Sequence, residues 1–102
     1  MSKMYEIKYL QQASTDLDEI YFYISQDSPQ NATKMLNEIV DKIEMLGEFP
    51  LIGSRVDDKL TTKGEYRMVI ARPYLIFYRV IGDTVYIYRV LHGKRYYNAL
   101  LD

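Results

Sequence analysis

A chain of 102 residues without cysteine is long enough for one core, and it excludes a disulfide framework and thiolate chemistry. A formal charge of −1, with 48% hydrophobic and 26% charged residues, describes a globular domain, and no apolar run nears the roughly 20 residues of a membrane helix. The opening MSKMYEIKYL lacks the apolar core of a signal peptide, so a cytoplasmic single domain, residues 1–102, with no membrane partner is expected.

Tyr5, Ile7 and Tyr9 alternate with Glu6 and Lys8, the period of a half-buried strand. The period then changes. Leu17, Ile20, Tyr21 and Ile24 recur at helical spacing and predict a helix over residues 15–26. Ser14 or Thr15 would cap it, with Asp16, Asp18 and Glu19 in the first turn, where the helix dipole favours negative charge. Ser28-Pro29 starts a second helix over residues 29–46, with Ala32, Met35, Leu36, Ile39, Val40, Ile43 and Leu46 at helical spacing and Gly47 as C-cap. The short join makes the two helices an antiparallel hairpin.

From residue 50 to residue 65 periodicity is lost and a loop is expected. Alternation returns at Tyr66, with Arg67, Val69 and Ala71 on one face and Tyr66, Met68 and Ile70 on the other. Arg72-Pro73 breaks this strand. Residues 75–80 and 85–90 read as two further strands joined through Gly82-Asp83, a strong hairpin turn. Residues 94–102 read as a tail or a turn of helix. The order of strand, two helices and three strands predicts an α+β domain, a helical hairpin on one face of an antiparallel sheet of about four strands.

The near-zero net charge hides a division. Residues 1–65 hold seven Lys/Arg against twelve Asp/Glu, a balance of −5, and residues 66–102 hold six against two, a balance of +4. Such asymmetry suggests a basic face for an acidic partner. The basic residues are Arg67, Arg72, Arg79, Arg89, Lys94 and Arg95, with the lone His92 among them. Arg79 and Arg89 flank the hairpin turn, and like charges on one sheet face repel unless an anion lies between them. Arg67, Arg79 and Arg89 are therefore expected on one surface. Solvated arginines at strand ends are the alternative. His92 could exchange protons near neutral pH or lock the last strand by bonding backbone, and the structural role is favoured. No His/Cys/Asp group has metal-ligand spacing, no glycine-rich loop could cradle phosphate and no serine sits beside an evident base, so no metal or cofactor is expected.

Three stretches resemble the RelE/ParE toxin superfamily of type II toxin–antitoxin systems. ASTDLDEIYFYI, residues 13–24, resembles A-x-x-D-L-x-x-I-x-x-Y-I; LGEFPLIG, residues 46–53, resembles L-x-x-x-P-x-x-G; residues 74–101 resemble a closing hairpin that ends V-L-H-G-R-R-D. The resemblance spans nearly the whole chain and implies a fold of N-terminal strand, helical hairpin and three-strand antiparallel meander in one sheet. It implies a cognate antitoxin that binds through an extended or helical segment. It also implies one of two activities. RelE-like members cut mRNA in the ribosomal A site, which needs a base, an acid and cations for the phosphate. ParE-like members poison DNA gyrase and are not nucleases.

Compared with the RelE-like strand Y-K-x-K, Tyr66-Arg67-Met68-Val69 keeps one cation and has valine for the next. In the RelE-like strand G-Y-R-L-x-Y the arginine contacts the scissile phosphate, and Leu75 stands at that place. The resemblance thus favours the ParE-like branch, with no catalytic residue and with Arg67, Arg79, Arg89, Lys94 and Arg95 binding target or antitoxin. A metal-free ribosome-dependent nuclease, using Arg67, His92 and Tyr96 or Tyr97, is the alternative. A decayed scaffold that only sequesters antitoxin is a third. The ending departs from the superfamily, since Tyr96 takes the place of its aspartate.

Overall fold

The computed structural model describes residues 4–56 and 65–94. In chain order the elements are β1 (Glu6–Tyr9), α1 (Gln11–Ser25), α2 (Pro29–Met45), β2 (Ser54–Arg55), β3 (Arg67–Ala71), β4 (Tyr74–Ile81) and β5 (Thr84–His92). The sheet runs β1-β5-β4-β3-β2. The predicted meander is present: β3, β4 and β5 are antiparallel neighbours. Gly82, at φ +61°, opens the two-residue turn Gly82-Asp83, a conformation that costs glycine little.

Two expectations for the sheet are corrected. Among the described residues it has five strands, because Ser54–Arg55 in the supposed loop pairs antiparallel with β3. It is also mixed, since β1 lies parallel to β5, with Ile7 opposite Val85 and Tyr9 opposite Ile87. No tight turn ties β1 to its neighbour. The helical hairpin and the meander intervene, and a parallel pair requires such a long connection.

Both helices pack on one face. Ile20, Ile39, Ile43 and Leu46 meet Val69, Ile76, Tyr78, Val85, Ile87 and Val90 in the main core. The opposite face carries a smaller cluster in which Phe77 and Leu91 are buried and Val56, Met68 and Leu75 pack against them. The alternation along β4 produces this division: Ile76 and Tyr78 face the helices, and Phe77 lies between them.

The start of α1 is also corrected. The helix begins at Gln11, and Ser14 and Thr15 lie inside it. The chain passes directly from β1 into the helix: the Leu10 N–H donates to Ile87 O at 3.0 Å, and Leu10 O accepts from the Ser14 N–H at 3.1 Å. Asp16 therefore leaves the first turn and falls on the inward face with Ala13 and Ile20, while Tyr21 turns outward. For α2 the predicted start holds. Ser28 Oγ accepts from the Asn31 N–H at 3.2 Å and Pro29 is the first helical residue. Gly47 is not the cap, which is Leu46. Gly47 is instead needed for close packing, with its carbonyl 2.7 Å from the Tyr5 N–H and no room for a relaxed Cβ, which would lie 3.3 Å from Tyr5 O.

Candidate functional site

Arg89 and Asp16 form the strongest polar contact in the described residues. Beyond Tyr9 the outer edge of β5 has no strand beside it, and Asp16 of α1 takes that place: its Oδ2 accepts from the Val90 N–H at 2.9 Å. The register slips here. Phe77 lies opposite Arg89 and Tyr78 opposite Ile87, which leaves Tyr88 as an extra residue. Such a bulge re-aims the side chains around it. Arg89 reaches α1 and grips Asp16 with two bonds, Nε to Oδ2 at 2.8 Å and Nη2 to Oδ1 at 2.9 Å. The bond to Asp16 raises the Arg89 pKa above its ordinary value, against the opposing effect of burial. Sequence reasoning placed Arg89 among the cations and missed its partner. The signal was present, because position 16 falls three after Ala13 and four before Ile20, on the face that the helix buries.

Arg67 and Tyr78 hold a second network. They are directly opposite on β3 and β4 and point to the helix side. Arg67 Nη1 donates to Gly53 O at 2.9 Å and to Leu51 O at 3.2 Å. The Tyr78 hydroxyl donates to Pro50 O at 2.8 Å and accepts from the Gly53 N–H at 2.9 Å. Burial raises the Tyr78 pKa, offset in part by the Gly53 bond and the Arg67 charge. The segment after α2 is thus pinned from below while Phe49, Leu51 and Ile52 stand exposed.

Arg79 lies on the other face of the sheet, two residues beyond Phe77. Its guanidinium sits 5.6 Å from the Tyr66 ring centroid and 6.0 Å from that of Tyr88. The two rings meet edge to face at 4.9 Å. The expectation of one surface for Arg67, Arg79 and Arg89 is therefore overturned. Adjacent positions on paired strands send Arg67 and Arg79 to opposite faces, and the bulge delivers Arg89 to α1.

His92 ends β5. Its Nδ1 accepts from the Lys94 N–H at 3.1 Å and its ring meets Tyr74 edge to face at 5.5 Å. The ring thus bonds the backbone two residues further on, at the strand end. Lys94 is exposed, and Arg95, Tyr96 and Tyr97 lie outside the described residues. Among the described residues no three His, Cys, Asp or Glu side chains converge on a possible metal position, and no helix is long and apolar enough to cross a membrane.

Two helices on one face of a five-stranded sheet closed by an antiparallel meander define the class: the α+β fold of toxins from type II toxin–antitoxin systems. A chain of the chromosomal ParDE TA system from P. aeruginosa superposes with a TM-score of 0.71 at 26% identity, covering 89% of this chain and 98% of that one. The toxin–antitoxin complex RelBE2 from Mycobacterium tuberculosis includes a chain with the same fold, at a TM-score of 0.63 and 22% identity over 87% of this chain and 91% of that one. In sequence, Y4kP of Sinorhizobium fredii (strain NBRC 101917 / NGR234), named as a candidate toxin, is 32% identical over 96 residues, 93% of this chain and 95% of that protein. Residues 7–97 match the family described as ParE toxin of type II toxin–antitoxin system, parDE, and the chain belongs to that family.

Proposed function

We propose that this chain arrests growth as a ParE-like toxin, by binding and poisoning DNA gyrase, and that a cognate antitoxin neutralises it by wrapping an extended or helical segment around it. Membership of the ParE toxin family supports the gyrase branch. One observation within the molecule carries the argument further. Where an RNA-cutting relative needs an arginine on the scissile phosphate, Leu75 packs into an apolar cluster with Phe77 and Leu91. The strand arginines nearby are engaged: Arg67 with loop carbonyls, Arg89 with Asp16, Arg79 with two tyrosine faces. Loss of one preorganised donor to a transition-state anion costs about 3–4 kcal/mol, so acid–base help from His92 alone would leave a nuclease weak. The toxin then acts by contact and requires no cofactor, with the exposed Lys94 among the cations available to meet target or antitoxin.

The test uses the purified chain in two assays. Supercoiling of relaxed plasmid by gyrase should fall with toxin dose and recover when a cognate antitoxin is added. Ribosomes programmed with mRNA should leave the message intact. Cleavage at the A-site codon, abolished by His92→Gln in a folded protein, would place the chain in the nuclease branch.

A further inference from the structure

β2 is two residues long, and the loop before it supplies the reason. Ser54 pairs with Met68 and Arg55 with Arg67. One residue earlier the chain is drawn off the sheet edge onto the helix side. The Gly53 N–H donates to the Tyr78 hydroxyl, Gly53 O accepts from Arg67, and Pro50 O accepts from Tyr78. From Val69 to Ala71 the outer edge of β3 therefore has no strand beside it among the described residues.

The pairing also fixes which backbone groups that edge presents. In an antiparallel strand each residue sends its N–H and C=O to one side, and successive residues alternate. Tyr66 O accepts from the Val56 N–H at 2.9 Å and Met68 pairs with Ser54, so the even-numbered residues of β3 face β2. Ile70 is next in that series. Its donor and acceptor point outward beyond the end of β2, and the residue is 42% exposed. A bare edge of this kind is a template for another strand.

A groove of about 580 Å³ runs along the bare edge, between β3 and α2. Met45 of α2 and Ala71 of β3 line it. Val69 and Ala71 turn toward the helices, so Ile70 between them faces away and meets the groove along its backbone. The rim carries Glu38, Asp41, Lys42 and Arg72, two acids and two bases that cancel in number. The groove therefore selects no ion, and the side chain that fits between Met45 and Ala71 is apolar.

Two demands meet here. The edge is satisfied by an extended backbone, and the groove by apolar side chains on its helix side. In an added strand the residue opposite Ile70 bonds to it, and its two neighbours turn toward the groove. A second copy of this chain meets only the first demand. Pairing two β3 edges about Ile70 would set Val69 of the copy opposite Ala71, and Val69 is already packed in its own core. The strand that fits brings alternate apolar residues not committed to any core, which describes a segment that orders as it binds.

We infer that the open β3 edge and the α2 groove seat an extended segment of the antitoxin, which joins the sheet beside β3 and places an apolar side chain between Met45 and Ala71. The inference rests on the antitoxin reading proposed above and gives that partner a place.

The test is an NMR titration of the full isotope-labelled chain with three synthetic peptides, acetylated and amidated. Thr-Val-Thr-Leu-Thr-Val-Thr offers backbone donors and an apolar face. Thr-Ser-Thr-Ser-Thr-Ser-Thr keeps the donors without that face, and Thr-Val-Pro-Leu-Pro-Val-Thr keeps the face without the two central donors. The first should give saturable shifts at Met45, Ile70, Ala71 and Arg72, in the millimolar range for so small a contact. The Ile70 amide should exchange freely in the free chain and become protected with the first peptide and with a cognate antitoxin. The other two peptides should bind about two- to tenfold more weakly, the range of one hydrogen bond. Ile70→Pro removes the outward N–H at a position where proline is tolerated, and should fold and lose the preference for the first peptide over the proline peptide. Met45→Glu, at a half-buried position, charges the groove wall and should weaken the first peptide to the level of the serine peptide. Equal binding of the three peptides, undiminished binding by Met45→Glu, or an Ile70 amide that still exchanges freely in the antitoxin complex would overturn the inference. So would protection of that amide in the free chain, concentration-dependent for a second copy and concentration-independent for residues 95–102. The peptide titration needs no antitoxin, so its failure strikes this site alone, whereas a supercoiling assay in which a cognate antitoxin restores nothing strikes the reading on which it rests.

Discussion

Replacing Asp16 by alanine should be the most damaging single polar substitution in the described part of the chain. The carboxylate is 4% exposed and the Arg89 side chain 14%. Removing Asp16 strands a largely buried guanidinium and the Val90 N–H together. Breaking a buried pair from one side costs about 3–5 kcal/mol, because the remaining charge is left without compensation. Total stability for a domain of this size is about 5–15 kcal/mol, so the loss is a large fraction of it. In thermal unfolding that corresponds to a fall in Tm of at least about 12 °C.

The size of this loss should not be confused with the net contribution of the pair. Two charges taken out of water recover little more than their desolvation when they meet. A double substitution, Asp16→Leu with Arg89→Met, removes both charges and should return most of the lost stability. Guanidinium chloride unfolding of the wild type, the two single variants and the double variant measures this coupling. If Asp16→Ala costs less than about 1 kcal/mol, or the two single losses simply add, the carboxylate is not compensating a buried charge and the account of the α1–β5 junction fails.

Other expectations concern the pinned loop and the strand end. Tyr78→Phe should cost about 1–3 kcal/mol in denaturant unfolding, since it leaves the Gly53 N–H and Pro50 O without their partner. Burial raises the phenols of Tyr74 and Tyr78, so the folded chain holds protons that the unfolded chain releases above the ordinary value of 10.0. That stability is intact below pH 10.0 and is lost as pH climbs through the raised values; denaturant midpoints should fall on the alkaline side, less steeply in Tyr78→Phe. Gly53→Ala should cost about 1–3 kcal/mol, because its Cβ would stand 2.5 Å from the Tyr78 hydroxyl and 2.9 Å from Met68 O. His92→Gln should lower Tm modestly, through the lost edge-to-face contact with Tyr74, and leave growth arrest per folded molecule unchanged.

The elements were legible wherever one period governs a segment. The α2 start could be read because Ser28-Pro29 carries both a cap and a fixed φ, and the last hairpin because Gly82 supplies the positive φ that its turn requires. The start of α1 was hidden because no side chain caps it: the chain enters the helix straight from β1, fixed there by the tertiary bond from the Leu10 N–H to Ile87 O, and a sequence pattern does not encode that bond. The parallel seat of β1 was hidden for a related reason. Its register depends on where the returning meander places β5, some 75 residues later.

The charge pattern misled for a different physical reason. Counting arginines in residues 66–102 finds the cations but not their directions, and in a sheet a shift of one position reverses the face. Arg67 and Arg79 are twelve residues apart in sequence, an even number, which favours a shared face only if they belong to one strand. They lie on β3 and β4, where the opposite partner of Arg67 is Tyr78, so Arg79 necessarily points away. The bulge at Tyr88 then breaks the parity a second time and gives Arg89 to Asp16. What the composition presented as one basic face is three separate commitments: a loop, an aromatic pair and a helix. The acid that could have revealed this stands in the apolar stripe of α1. A buried carboxylate demands a cation, and here that demand removes an arginine from the surface where a partner would have met it.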